Sequence, residues 1–389
     1  MDLVNRGPAP VNDEAKVMGS VEGLTILNTS YIGVPFHRIE YPDPDFAHER
    51  DRAMNHNTDD GIKPLTPEQQ AHERELAWEL IKRITKKIFS MDPMSISFPV
   101  DFNDPRTSLE RMADNMVYLA NKYIDLAFEE SNPEKRLGYI AAGIIASFQL
   151  QMQQKKPWNP VLGETYSGRY FNGNRIYAEQ TSHHPPITAI EIIGDKNKWR
   201  CHSVIDIKVS SGPFKAEIYY YGSFKLELGN GVVIEWNIPT NVMTGIISGD
   251  RLMRMSGPVE IKDVANNIGL KFDAWPKKDK SKGILKTRSS TIWGCTYLLN
   301  EKKATPRMIL SGDYTDKIML DSEVIWDISQ DFAVRPLNET PQDDILLSDS
   351  RFRIDRGCLI DGKMSDAEVA KKVIEESQRR EEKLRRVLK

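Results

Sequence analysis

The chain has 389 residues, with 53 Lys or Arg against 56 Asp or Glu, a formal charge of -3 and 40% hydrophobic residues. That balance excludes a global electrostatic pull toward nucleic acid, and the apolar content is that of a globular chain with ample length for a large core. No apolar run approaches the ~20 residues that span a bilayer, the opening "MDLVNRGPAPVNDEAKV" has no secretory h-region, and Cys201, Cys295 and Cys358 form no CxxC pair, which points to the reducing cytosol.

Residues 1–66 are rich in Pro, Gly, Asn and Asp and read as an irregular arm. Within it "GSVEGLTILNTSYIGVPF" (19–36) is more apolar than its surroundings, fitting either a packed extended arm or a flap over a cavity. Residues 67–153 read as three helices. Thr66-Pro67-Glu68-Gln69 supplies an N-cap, a proline at N1 and a glutamine at N3. Leu76, Leu80, Ile81, Ile84 and Ile88 follow at helical spacing. After "MSISFPVDF", Asp104-Pro105 predicts the start of a second helix carrying Leu109, Met112, Met116, Leu119, Tyr123 and Leu126. Asn132-Pro133 starts a third, and its "LGYIAAGIIASF" is apolar nearly all round, so it should be buried.

From residue 154 to 327 the texture changes to strand. "TYSGRYFNGNRIYAEQTS" alternates around an Asn-Gly-Asn turn; "ITAIEIIGDKNKWRCHSVIDIKV" and "FKAEIYYYGSFKLELGNGVVIEW" repeat the pattern. Further strand-like runs cover 258–274, 284–299 and 306–310. Consecutive hairpins predict an antiparallel meander, and closure into a barrel is the usual way to remove the edges of so many strands. A barrel of that size leaves a ligand cavity. Residues 277–288, "KKDKSKGILKTR", form a basic patch, read as a solvated hairpin loop or a contact for an anionic membrane. Residues 328–363 return to irregular polar chain. Ser365-Asp366-Ala367-Glu368 is a second capping box, opening a charged helix that runs to Lys389. Lys371, Glu375 and Arg379 fall on one stripe of it, which alone reads as a solvated face with i,i+4 pairing.

"EQTSHHPPITA" (179–189) puts His183 and His184 side by side, in a chain with only 7 histidines. Adjacent strand residues point to opposite faces, so both ligate one metal ion only if the chain bends. There is no HExxH or cysteine pair, and no G-x-S-x-G elbow to support a hydrolase at Ser182-His183. The plain alternative is a strand that ends at Pro185-Pro186. Upstream, "QQKKPWNPVLGETYSG" (153–168) sets Lys155, Lys156 and Asn159 between prolines that hold the loop extended. A lysine, an amide and two imidazoles make a donor set suited to phosphate.

"EQTSHHPP" and "KPWNPVLGETY" together resemble the paired fingerprints of the oxysterol-binding-protein family, with Thr181 where a valine is usual. "MSISFPVDFNDPRTSLERM", "SDSRFRIDR" and "IEESQRR" resemble further family segments in the same order, so the similarity covers roughly residues 75–380. The resemblance implies an α+β fold. Its centre is a large incomplete antiparallel β-barrel enclosing a hydrophobic tunnel, with an N-terminal lid, flanking helices and a C-terminal charged helix. On that basis residues 1–389 form a single lipid-binding domain, with the lid in 19–36 at Leu24, Ile26 and Leu27.

Carried over position by position, Lys156 and Asn159 hold the inositol phosphate headgroup of phosphatidylinositol 4-phosphate, and His183 and His184 contact its 4-phosphate. Lys371 and Arg379 face phosphate, with Glu375 toward the inositol hydroxyls. The resemblance further implies a lipid-transfer protein, not an enzyme, without metal or cofactor. It would exchange the phosphoinositide for a second lipid, a sterol or phosphatidylserine, and touch anionic membranes transiently. It would act as a cytoplasmic monomer, peripheral on organelle membranes or at membrane contact sites. The alternative is a lipid-gated adaptor whose lid state controls partner binding. Thr181, if it faces the tunnel wall, needs a partner for its hydroxyl.

Overall fold

The computed structural model describes residues 54–63, 66–84, 99–151, 155–212, 214–229, 231–276, 287–301, 304–330, 336–337 and 345–387. Helix α1 (Pro67–Ile84) starts where the capping box predicts. The Gln69 amide N–H donates to Thr66 Oγ1 at 3.2 Å, and Thr66 N–H donates to Gln69 Oε1 at 3.0 Å.

The second helix begins later than expected. Asp104-Pro105 lies inside a short strand, β1 (Asn103–Thr107), which pairs in parallel with β2 (Lys156–Trp158). Helix α2 (Ser108–Asn115) is started instead by Thr107 and Glu110: the Glu110 carboxylate accepts Thr107 N–H at 2.8 Å while Thr107 Oγ1 accepts Glu110 N–H. A reciprocal cap satisfies two donors, whereas a proline at N1 satisfies none, and the box wins. Nor does the helix run unbroken to Leu126. A π-turn covers Leu119–Tyr123 before α3 (Ile124–Glu129). There the Ala120 carbonyl receives side-chain amides from Asn172 at 2.8 Å and Asn174 at 2.6 Å, the kind of inserted donor that widens a helix.

Helix α4 (Pro133–Ala146) is capped by Asn132, whose Oδ1 accepts the amide N–H groups of Glu134 and Lys135 at 2.9 and 3.2 Å. It is buried along nearly its whole length, as its composition requires. It presses onto the π-turn at Gly143, where a Cβ would stand 2.8 Å from Leu119 Cδ2.

Fifteen strands form one sheet. In chain order they are β3 (Thr165–Tyr170), β4 (Arg175–Ser182), β5 (Ile187–Ile193), β6 (Trp199–Ser211), β7 (Lys215–Tyr221), β8 (Ser223–Leu228), β9 (Val233–Asn237) and β10 (Thr240–Thr244). They continue as β11 (Leu252–Asp263), β12 (Ile268–Ala274), β13 (Thr291–Leu298), β14 (Ile309–Asp313), β15 (Lys317–Leu320), β16 (Glu323–Asp327) and β17 (Pro336–Leu337). The three predicted hairpins are present. β7 and β8 follow β6 in one continuous register and are a single strand interrupted at Gly222, whose φ of 135° and closeness to the Val204 carbonyl exclude a side chain. β9 and β10 both pair with β11, with a one-residue slip in register across Ile238-Pro239. The terminal strands β16 and β17 do not pair with each other among the described residues, so the barrel is incomplete, as the family pattern implies.

Antiparallel alternation gives the sheet two distinct ends. One carries the turns after β4, β6, β10, β12 and β14; the other carries those after β3, β5, β8 and β11. Helix α4 packs against β11, β12, β15 and β16. Phe148, just beyond it, meets the rings of Phe272 and Tyr314 at 6.5 and 5.7 Å.

The chain divides into two compact units, one built on residues 41–350 and the other on 351–389. The second corrects the expectation of irregular chain through 363: it contains α5 (Ile354–Ile360), followed by α6 (Met364–Val387). The N-cap residue of α5, Arg353, makes no side-chain cap, and Asp355 in the first turn is the start signal that the sequence carries.

Candidate functional site

The site begins with β1, whose only sheet partner among the described residues is β2. Asn103 lies opposite Lys156 and Thr107 opposite Trp158, and Asn103 Nδ2 donates to the Lys156 carbonyl at 3.3 Å. Buried ion pairs hold β1 against α2. Arg106 Nε lies 2.9 Å from Asp114, both side chains nearly inaccessible, and Arg111 bridges Asp104 and Asp114. Burial works against the Arg106 charge, but Asp114 and Glu110 override it and hold the guanidinium protonated above its ordinary range. Removing one member of such a pair strands the other, at about 3–5 kcal/mol. Lys156 therefore stands on a stiff support.

Beyond Lys156 the loop closes in a turn over Val161–Glu164. The Glu164 N–H donates to the Val161 carbonyl at 3.0 Å, and Gly163 takes the positive φ (77°) that the third position of a type II turn needs. Glu164, itself buried, accepts the Val161 N–H through Oε2 at 3.0 Å and the Ser350 hydroxyl through Oε1 at 2.8 Å. Ser350 Oγ in turn lies 3.0 Å from Thr107 Oγ1, tying the loop back to the α2 cap.

The histidine pair lies in the turn between β4 and β5. Ser182 pairs with Ile187, so His183–Pro186 form a four-residue connection, with a register shift between Gln180 and Ser182. Leaving the strand removes the alternation that would have parted the two side chains. Their ring centroids are 4.6 Å apart, edge to face. The His184–Pro185 peptide is cis. Gln180 braces the turn from below: its Nε2 donates to the Ser182 carbonyl at 2.6 Å and its Oε1 accepts from Thr188 Oγ1 at 2.8 Å. Thr181 is exposed, away from any interior wall, and its hydroxyl donates to the Ile187 carbonyl at 3.2 Å.

The two loops meet. His183 Nδ1 is 3.0 Å from the Pro160 carbonyl, Gly163 N–H donates to the Gln180 carbonyl at 2.8 Å, and Gln180 N–H to the Glu164 carbonyl at 2.9 Å. A carbonyl only accepts, so His183 Nδ1 carries a proton in this contact. That N–H is directed at Pro160, so any donation from the His183 ring to a further acceptor falls to Nε2. Donation from Nε2 requires the imidazolium. Lys155 and His184 are exposed; Lys156, Asn159 and His183 are half-buried.

In the second unit, α6 carries Lys371, Glu375 and Arg379 as a ladder. Lys371 Nζ lies 3.0 Å and Arg379 Nη2 3.1 Å from the Glu375 carboxylate. The i,i+4 pairing follows the spacing, but Lys371 is buried, which a solvated face does not predict. The segment 19–36, with Leu24, Ile26 and Leu27, lies outside the described residues, as do 277–286 of the basic patch. β12 ends at Ala274 and β13 starts at Thr291, both at the sheet end that carries His183. No group of three or more metal-ligating side chains occurs among the described residues, and no described helix is long and apolar enough to cross a membrane.

Sequence reasoning missed the Pro160 carbonyl as an acceptor, and Glu164, Gln180 and Ser350 as supports of the two loops. Only Gly163 before Glu164 carried a local signal, a turn glycine followed by an acceptor.

A family model described as Oxysterol-binding protein matches residues 80–388. Oxysterol-binding protein 9 of Dictyostelium discoideum is 25% identical over 352 residues, covering 85% of this chain and 81% of that protein. Human oxysterol-binding protein-related protein 1 is 30% identical over 354 residues, covering 76% of this chain and 37% of its own length. The chain thus spans most of the first relative and little more than a third of the second. Among solved structures, the Osh1 ORD domain in complex with ergosterol aligns with a TM-score of 0.63 at 21% identity, covering 79% of each chain. The Osh3 ORD from Saccharomyces cerevisiae in complex with PI(4)P aligns with a TM-score of 0.63 at 20% identity, covering 85% of this chain and 88% of that one. At these identities the structures establish a shared fold.

Proposed function

The chain belongs to the oxysterol-binding protein family, and we propose that it binds phosphatidylinositol 4-phosphate and exchanges it for a second lipid, a sterol or phosphatidylserine, between cytosol-facing membranes. The observation that carries this reading is the contact of His183 with Pro160, which joins a two-histidine turn to a loop bearing Lys156 and Asn159. Two imidazoles, an ammonium and an amide give a donor set suited to a phosphomonoester, and none of the four is a nucleophile poised beside a base. In this reading Lys156 and Asn159 hold the inositol phosphate, His183 and His184 the 4-phosphate, and Lys371 and Arg379 add cations while Glu375 accepts from inositol hydroxyls. The complexes of similar folds with ergosterol and with PI(4)P support both ligand classes.

Lifting a lipid from a bilayer exposes acyl methylenes at about 0.8 kcal/mol each, on the order of 20–25 kcal/mol for two long chains. Headgroup contacts cannot offset that, so a carrier must bury the chains. We assign that role to a tunnel within the incomplete barrel, with residues 19–36 as its lid and the whole chain as one lipid-binding domain. No bond is made or broken: the protein carries lipid as a cytoplasmic monomer and touches membranes transiently.

The double variant His183→Ala/His184→Ala should lose extraction of phosphatidylinositol 4-phosphate from liposomes while its circular dichroism spectrum and thermal unfolding stay those of the wild type. Undiminished extraction would remove the phosphate assignment. Transfer between two liposome populations separates carriage from a lipid-gated adaptor, which would bind lipid but move it slowly.

A further inference from the structure

We infer that residues 54–63 are a removable section of the sheet wall, and that lipid passes through the side of the barrel when they lift away, an inference that rests on the lipid-exchange reading. β12 stops at Ala274, opposite Gly257, so β11 from Leu252 to Ser256 reaches beyond it. Residues 57–62 take the place that a longer β12 would hold. Ile62 and Met253 exchange both backbone hydrogen bonds at 2.9 Å, as neighbouring strands do. On the other side Ser289 N–H, just before β13, donates to the Asp59 carbonyl at 3.0 Å. Asn57 Nδ2 donates to Ser290 Oγ at 2.8 Å and to Thr315 Oγ1 at 2.9 Å. The fit is close at Gly61, where a Cβ would stand 2.8 Å from Leu252 Cβ. Ile62 is fully buried, in the same apolar cluster as Met253, Met255, Phe272 and Tyr314. Lifting the segment therefore uncovers the interior from the side.

The segment is weakly held for a piece of wall. An interior strand such as β5 is paired along both edges over its whole length, whereas this one has two backbone bonds to β11 and one from Ser289. Its ion pairs, Lys63 with Asp250 at 2.5 Å and Arg288 with Asp59 at 3.6 Å, are half-exposed and contribute little. Four polar atoms around it are buried without a hydrogen-bond partner among the described residues: Asn57 Oδ1, Arg254 Nε, Ser289 Oγ and the Tyr314 hydroxyl. Arg254 Nη1 donates to the Asp60 carbonyl and Tyr314 N–H to the Ser290 carbonyl, so each of the four belongs to the segment or to its immediate surroundings. Unpaired groups raise the free energy of the closed wall, and water satisfies them once the segment lifts. Few contacts to break and polar groups to rehydrate are the conditions for local opening. Neighbouring strands lie about 4.8 Å apart, so its departure leaves β11 and the start of β13 about 10 Å apart, a slot one chain wide. The segment precedes residues 80–388, the part that the family model matches.

The test uses the full chain carrying Ile62→Cys with Met253→Cys. Residues that exchange both bonds have Cα atoms about 5.5 Å apart, within the reach of a disulfide, and the three native cysteines are outside any disulfide. The oxidised protein should move long-chain phosphatidylinositol 4-phosphate between liposomes roughly tenfold or more slowly than the same protein after reduction. Affinity for the short-chain, water-soluble lipid should stay within roughly twofold in both states. In the wild type, hydrogen exchange at the Ile62, Met253 and Ser289 amides should run roughly a hundredfold or more faster than in β5. Gly61→Val, whose side chain keeps the segment from seating, should speed both that exchange and lipid transfer. The wild-type exchange measurement decides alone if the cysteine pair fails to fold or to oxidise. Equal transfer by the oxidised and reduced protein, or protection of the Ile62 and Met253 amides equal to that of β5, overturns the side passage. A wild type that moves no lipid while those amides exchange fast overturns the lipid-exchange reading and leaves the segment as an opening section of wall.

Discussion

His183 directs Nδ1 to the Pro160 carbonyl at 3.0 Å, and that contact has a chemical consequence if the ring also meets a phosphate. The Nδ1 proton is committed, so Nε2 can donate only once it gains a second proton. Binding of a phosphomonoester headgroup should therefore take up a proton at neutral pH. Isothermal titration of short-chain phosphatidylinositol 4-phosphate in buffers of different ionisation enthalpy should give a buffer-dependent heat for the wild type. His183→Gln should show less proton uptake, because an amide donates without titrating. Equal uptake by both proteins would place the titrating group elsewhere. The side chains of this site were legible as chemistry, since histidine, lysine and asparagine announce what they can bind. Pro160 was not, because a carbonyl acceptor belongs to every residue and only folding aims it.

Among elements, helix starts were legible where a cap was complete. Thr66 with Gln69 and Asn132 with Pro133 began helices as predicted, while Asp104-Pro105 lost to the reciprocal cap of Thr107 and Glu110, three residues further on. The break at Leu119–Tyr123 could not be read at all, because its cause lies some 50 residues away in sequence. Asn172 and Asn174 were recognisable as turn residues, yet their amides reach the Ala120 carbonyl. Asn174 is fully buried and also accepts the Asp195 N–H at 2.6 Å. Asn174→Ala should therefore destabilise the protein by about 1–3 kcal/mol, the usual cost of leaving buried groups unpaired. Urea unfolding at unchanged m-value is the measurement, and a loss below half a kcal/mol would show that the amide contributes nothing there. Asn→Asp at 174 should be at least as damaging, since a carboxylate cannot donate to Ala120.

At the scale of the whole molecule, Cys201, Cys295 and Cys358 form no CxxC pair, and all three are buried and outside any disulfide. Burial pushes the thiols of Cys201 and Cys358 up, keeping them protonated and unreactive. A thiol reagent should titrate none of the three in the folded protein within minutes and all three after denaturation. A fast-reacting thiol in the native state would mean that its surroundings open readily.

The amino-acid sequence by itself determined the alternation of strands, the Asn- and Gly-bearing turns, the capped helices and the donor set of the histidine and lysine loops. Each rests on neighbours within a few residues or on a period the chain repeats. The tertiary structure decided what depends on distant partners. It set the bend that lets two adjacent histidines face one another and the Glu164–Ser350–Thr107 chain behind the lysine loop. It also set the π-turn and the seating of residues 57–62 between β11 and the start of β13. Local sequence specifies which groups are available, and long-range packing alone decides where a carbonyl or a buried carboxylate is set.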